Sequence, residues 1–398
     1  MPVDVVSAVN TLAWMLFGAA ILGALALRAH LPYAVALVLG GILAEETHLL
    51  VLPQLEPSVL LFVFLPPLLF DAAFRLDDKE LRTVARPVAL LAIPGTVATA
   101  AIVALVLVLT LHLPLALAFL FGSIVSATDP VAVIAVFRGL NAPNRLSVIA
   151  EGESLINDGV AITLYTVALG LTTAGSADIP AALGFFLREV VGGVAIGVTL
   201  GLAFSRLTAT VDDHLIEMTL STALAYGSFL VAQSLETSGA LACVAAGLIH
   251  GSYGRQVGMS ENTRRLLDDL WEYFGFVANA IVFLLVGFTT NLASLVSAAG
   301  PVGVSILAVV LSRAVVIFGP PVVVAAKYLA TSQAERAVLF WGGLRGALTI
   351  TLALALPPTL ANRELLIAMA FGVVLFSLVV QGVTLTLVVQ RAGLARTP

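Results

Sequence analysis

The chain has 398 residues, of which 60% are hydrophobic and 11% charged, and its mean hydropathy is +1.07. A soluble domain is about 45 to 50% apolar, so this composition predicts an all-α polytopic membrane protein in a lipid bilayer and excludes a sizeable soluble regulatory domain. The net charge of −5 is spread along the chain without a basic tract, which argues against nucleic-acid binding.

The N-terminus lacks the basic flank and cleavage site of a signal peptide. The run from about Asn10 to Leu27 is therefore expected as a retained first helix, with the mature chain starting near Met1. A spanning helix needs about 20 apolar residues. On that measure thirteen helices are predicted, beginning near Val9, Pro32, Pro57, Pro87, Pro114, Arg145, Ala182, Leu215, Ser238, Leu270, Val302, Ala334 and Glu364. Residues 252–269, of mixed charge, are the one longer connection and are expected along the cytoplasmic surface. The odd count puts the termini on opposite faces. All nineteen Lys and Arg residues except Arg188, Arg363, Arg313 and Arg345 fall in one set of alternate loops, Lys327 and Arg396 among them. The positive-inside rule then puts the N-terminus outside and the C-terminus in the cytoplasm. Cys243 lies in an apolar run and reads as a packed thiol, with no second cysteine for a disulfide.

An odd count also permits two inverted six-helix repeats, at about residues 9–171 and 215–391, joined by a linker helix at about 182–207 within a single membrane domain spanning 1–398. Helices 5 and 12 occupy matching places and both are interrupted, one by Thr128, Asp129 and Pro130, the other by Gly342 to Gly346. Paired interruptions of this kind point to a transport site. Pro130 has no N–H and its ring collides with the Ser126 carbonyl, which frees backbone groups beside Thr128 and Asp129. Irregular backbone at membrane depth is tolerated only inside protein or around a wet cavity.

The next helix carries EGESLIND, in which Glu151, Ser154 and Asp158 share one face and Glu153 and Asn157 form a neighbouring pair. A charge at bilayer depth is disfavoured by about 2.5 to 3.5 kcal/mol on insertion scales, so Asp129, Glu153 and Asp158 need partners, cations or protons. Oxygen ligands from Asp158, Asp129, Thr128, Ser154 and Asn157 suit a hard monovalent cation such as Na+. A carboxylate that holds either a proton or a cation, but not both, couples their movements, and Asp158 is assigned that role. Glu153 and Arg345 both fall in spans and read as a buried structural ion pair; Arg313 reads as a further compensating charge. Asp71, after FLPPLLF, either tunes ion access from the cytoplasm or belongs to an interfacial cluster with Arg75, Asp77 and Asp78. His250 is expected at the interface without a switching role, and the flanking Gly247 and Gly251 as helix-packing positions.

The segments SATDPVAV, EGESLINDGVA and GGLRGALTI, with FLPPLLFDAAF upstream, resemble the monovalent cation:proton antiporter family, specifically the NhaP-type sodium/proton exchangers, over nearly the whole chain. The resemblance implies thirteen transmembrane helices with inverted repeats, a core domain with crossed discontinuous helices, and a second domain that forms a homodimer in the plasma membrane. It assigns Asp158, Asp129, Thr128, Ser154 and Asn157 to the cation and proton site, and Glu153 with Arg345 to a structural pair. Asp71 stands where relatives often carry Glu, and its shorter side chain reaches less far. Asn157 stands where electrogenic relatives carry Asp, which implies electroneutral exchange of one sodium for one proton, with no cofactor. Two other classes fit less well. A proton-uncoupled channel lacks a repeated filter segment here, and an intramembrane aspartyl protease would need a glycine-flanked acid where Asp129 stands between Thr128 and Pro130. Lithium or potassium in place of sodium is not distinguished by the sequence.

Overall fold

The computed structural model describes residues 5–29, 32–47, 60–174, 179–290, 292–319 and 331–395, and every regular element among them is helical. Eight segments among these residues are long and apolar enough to cross a membrane, including Asn144–Thr172, Pro180–Thr208 and Glu261–Thr289. Their outer faces carry large apolar side chains, such as Val191 at 64% and Leu307 at 69% exposure. Such a continuous apolar exterior is unfavourable in water and matches a lipid surroundings.

Four shorter helices form two broken pairs: Leu115–Ile124 with Val131–Gly139, and Gln333–Trp341 with Ala347–Leu354. At 8 to 10 residues, each is about 12 to 15 Å long, half of a hydrocarbon core of about 30 Å. The Asn144–Ala174 helix packs beside both pairs and carries the acidic motif between them.

Two helices begin well before their expected starts. The one expected near Pro87 runs from Asp78, because Asp77 caps it by accepting from Lys79 N at 2.8 Å and Glu80 N at 3.3 Å. Pro87 is accommodated inside it, and the chain bends only at Ile93, before Pro94–Leu111. Similarly, the helix expected near Leu270 begins at Glu261 behind the Ser260 cap. Residues 252–269 are thus largely helical instead of a surface loop: the Gly239–Ile249 helix continues through a π-turn, His250–Gly254, into Arg255–Val257. Arg255 pairs with Asp268 and lies over the Phe74 ring, 4.4 Å from its centroid, which fastens the two helices together. The expected start near Pro57 and the basic residues Lys327 and Arg396 lie outside the described residues.

His250 is fully buried within the protein. Gly247 and Gly251 explain this. A Cβ on Gly247 would lie 2.7 Å from the Ala73 methyl and one on Gly251 would overlap the Phe74 carbonyl, so Gly239–Ile249 and its π-turn lie flush against Leu65–Arg75. The His250 ring is enclosed between Phe70 and Phe74, with Nδ1 3.1 Å from Ser205 Oγ. Cys243 is buried on the same helix, as expected, with its thiol 3.4 Å from the Pro66 carbonyl.

Tyr33–Glu46 packs along Glu261–Thr289 through Gly41 and Gly287, where a Cβ on Gly287 would overlap the Val38 carbonyl and lie 2.7 Å from Gly41 Cα. Gly287→Val should therefore destabilise the protein by about 1 to 3 kcal/mol through overpacking. Gly227, whose Cβ position meets nothing within 4 Å, is the matched control. Thermal unfolding in detergent should give a lower midpoint for Gly287→Val and an unchanged or slightly higher one for Gly227→Ala.

Candidate ion-binding site at two broken helices

Breaking a helix leaves carbonyls at the end of one half and N–H groups at the start of the next without intrahelical partners, and inside a membrane each must be satisfied by protein. Here the two breaks satisfy one another. Asp129 N donates to Leu344 O at 2.8 Å. The Asp129 carboxylate accepts from Val131 N at 3.0 Å and from Ala347 N, so one carboxylate meets the first turns of two half-helices, where the helix dipole favours negative charge. Arg345 is the complement: Nε donates to Val125 O at 2.8 Å and Nη1 to Gly343 O, carbonyls at the C-terminal ends of the other two halves. Glycine is needed at two places, at 346 by the approach of the two breaks and at 343 by the neighbouring Arg313 side chain. A Cβ on Gly346 would collide with the Asp129 carboxylate, and one on Gly343 would lie 2.6 Å from Arg313 Nε.

The acidic helix is tied to the first break by three hydrogen bonds. Ser154 Oγ donates to Thr128 O, Asn157 Nδ2 donates to Thr128 Oγ1 at 2.7 Å, and Thr128 N donates to Asn157 Oδ1 at 3.3 Å. Asn157 is 1% exposed and turned to Thr128, so it holds the break in place and does not line the cavity beside it. Thr128, Asp129, Ser154 and Asp158 do line that cavity, which has a volume of about 400 Å³. Asp158 Oδ1 is buried and has no hydrogen-bond partner among the described residues.

From Asp158 the cavity extends past Asp71 to Arg75, Arg138 and Glu272, of which Glu272 is two-thirds exposed. Asp71 belongs to the cavity wall, and of the cluster expected around it only Arg75 is its ion-pair partner: Arg75 Nη1 lies 3.7 Å from Asp71 Oδ1 and 3.1 Å from Glu272 Oε2, whereas Asp77 caps its own helix and Asp78 pairs with Arg82. Its neighbours include Gly275, where any Cβ would overlap the Asp71 carboxylate.

Glu153 does not pair with Arg345. Its carboxylate takes both terminal nitrogens of Arg313, with Nη2 to Oε2 at 3.1 Å, and Arg313 Nη2 also donates to Leu339 O at 2.9 Å. Arg313 sits on Ala299–Phe318, facing Glu153, whereas Arg345 donates from Nε and Nη1 to the freed backbone carbonyls. Both members of the pair are buried. Three cavity residues were not singled out by the sequence reading: Asn279, Thr349 and Thr351 also line it. The available signal was a polar residue inside an apolar run, one in FVANAIVF and two in ALTITLAL.

Removing one member of a buried ion pair strands the other, at a cost of about 3 to 5 kcal/mol. Glu153→Gln and Arg313→Gln should each lower the unfolding midpoint strongly, and the double variant should recover much of the loss. Glu153→Gln combined with Arg345→Gln should show no such recovery, which distinguishes the two pairings in one set of melts.

Residues 15–391 match the family model described as "Sodium/hydrogen exchanger, transmembrane". The chain is 39% identical over 372 residues to the Na(+)/H(+) antiporter ApNhaP of Aphanothece halophytica, covering 92% of this chain and 70% of that one. It is 35% identical over 382 residues to the Na(+)/H(+) antiporter NhaH of Halobacillus dabanensis, covering 91% and 92%. Its fold is similar to that of the sodium proton antiporter MjNhaP1 from Methanocaldococcus jannaschii at pH 8, with a TM-score of 0.80 at 20% identity over 96% of this chain and all of that one. With the motifs, the broken helices and the family model agreeing over nearly its whole length, the chain belongs to the sodium/hydrogen exchanger family of transmembrane ion antiporters.

Proposed function

We propose that the chain is a secondary active antiporter that exchanges a monovalent cation, Na+ first, for H+ across the plasma membrane. The observation that carries this reading is the unequal treatment of the buried acids. Glu153 is neutralised by Arg313, and Asp129 is held by two backbone N–H groups, whereas Asp158 Oδ1 is buried at the cavity wall with no partner. An acid left in this condition binds a proton or a cation, and the two compete for the same oxygens. Asp129, the Thr128 carbonyl and the Ser154 hydroxyl supply further oxygen around the cation, in keeping with the preference of hard ions. Sodium is taken from the names of the relatives; lithium or potassium would use the same oxygens.

The cavity reaches the surface at the basic residues Arg75 and Arg138, which the positive-inside rule assigns to the cytoplasm. In this reading the C-terminus is cytoplasmic, the N-terminus is external, and Asp71 lines the inner access route. Each protomer has thirteen helices, two inverted six-helix repeats joined by a linker helix, and access alternates when the core domain with the crossed helices moves against the dimer scaffold. Asn157 is neutral and engaged with Thr128, so only one exchangeable acid faces the cation and exchange is one for one.

In proteoliposomes carrying a trapped pH indicator, Na+ addition should collapse an imposed pH gradient, and Asp158→Asn should abolish the response. Turnover should be the same whether the membrane potential is clamped at zero or held inside-negative. Voltage-dependent turnover would contradict one-for-one exchange, and cation flux without proton movement would favour a channel.

A further inference from the structure

Two threonines of the Ala347–Leu354 half-helix line the cavity, and their hydroxyls are treated differently. Thr351 donates to Ala347 O, four residues back, at 3.0 Å, the usual way a helical threonine satisfies itself. Thr349 is the third residue of the same half-helix, so the residue four back is Arg345, which lies in the non-helical break. Its hydroxyl is fully buried and has no partner among the described residues. Burying a hydroxyl without a partner is costly, and a valine of the same outline would avoid that cost. Thr349 shares the cavity wall with Asp158, whose Oδ1 is likewise without a partner among the described residues, while Thr128 Oγ1 is already engaged by Asn157. The positive end of the half-helix, unfavourable to a cation, is offset by the Asp129 carboxylate that accepts from Ala347 N.

We infer that Thr349 supplies a further oxygen ligand to the cation held at Asp158 and helps to set which monovalent cation is preferred, an inference that rests on the antiport reading above. The cation is then gripped from both broken helices and from the acidic helix between them. A ligand on the second broken helix also makes the fit sensitive to how the two breaks are placed, which is where discrimination by ion size would arise.

The test is the apparent KM for Na+ and for Li+ at one fixed pH in proteoliposomes, for wild type, Thr349→Val, Thr349→Ser and Asp158→Asn. Thr349→Val should raise the KM for Na+ roughly tenfold, the loss expected for one ligand to a charged group, and should change the Na+ to Li+ ratio, while Thr349→Ser returns both toward wild type. Thr349→Ala is carried alongside because it removes the same hydroxyl without a branched methyl that could disturb folding. Wild-type KM values for both ions in the valine and alanine variants, even with a shifted pH profile, would overturn the inference. Retained exchange in Asp158→Asn would reject the antiport site itself, and that failure is visible independently of Thr349.

Discussion

Inside a bilayer lipid cannot satisfy a broken helix, and the mutual satisfaction of two breaks is the constraint on which the site depends. Four half-helices meet, and their ends carry partial charges of both signs. Asp129 sits at two N-terminal ends and Arg345 at two C-terminal ends. Each ionised side chain does for the backbone what a continuous helix would do for itself. The glycine at 346 is what lets the two breaks come close enough for this exchange of partners, and the glycine at 343 makes room for the Arg313 guanidinium. Loss of either charge would expose several polar backbone groups at once, so the pair is architectural even though both residues lie beside the cavity.

That arrangement determines which acid remains available. Glu153 has a permanent charged partner in Arg313, and Asp129 is held in place by backbone N–H groups, so each is tied down in a way that Asp158 is not. Asp158 emerges on the same helix as Glu153 but five residues later, on a different face, and meets the cavity instead of Ala299–Phe318. Ser154 and Asn157 then fix the distance between that helix and the first break. One long helix thus presents a paired acid to one side and an acid with an unpartnered oxygen to the other.

Much of this was legible from residues 126–130 and 151–158, because a proline beside an acid and a cluster of polar groups in apolar surroundings leave few physical options. The interruption at Gly342 to Gly346 was legible for the same reason. The partner of Glu153 was not. Sequence says that a buried acid needs a cation, but whether Arg313 or Arg345 faces it depends on helix rotation and on competing acceptors, and the acceptors of Arg345 are backbone carbonyls that no residue type announces. The early helix starts at Asp78 and Glu261 were obscured by their charged first turns, although the caps Asp77 and Ser260 were present as signals. Burial of His250 follows from glycine contacts with another helix, which a single segment cannot reveal. Thr349 was missed because its importance lies in a hydrogen bond it does not make.

The central claim is that one carboxylate, Asp158, exchanges a proton for a cation. Its most direct test is to add Na+ to the purified protein in weakly buffered detergent solution and follow proton release with a pH indicator. The account predicts release of a single proton per chain on Na+ addition in the wild type and none in Asp158→Asn. Sodium binding without proton release in the wild type, or undiminished release in Asp158→Asn, would contradict it.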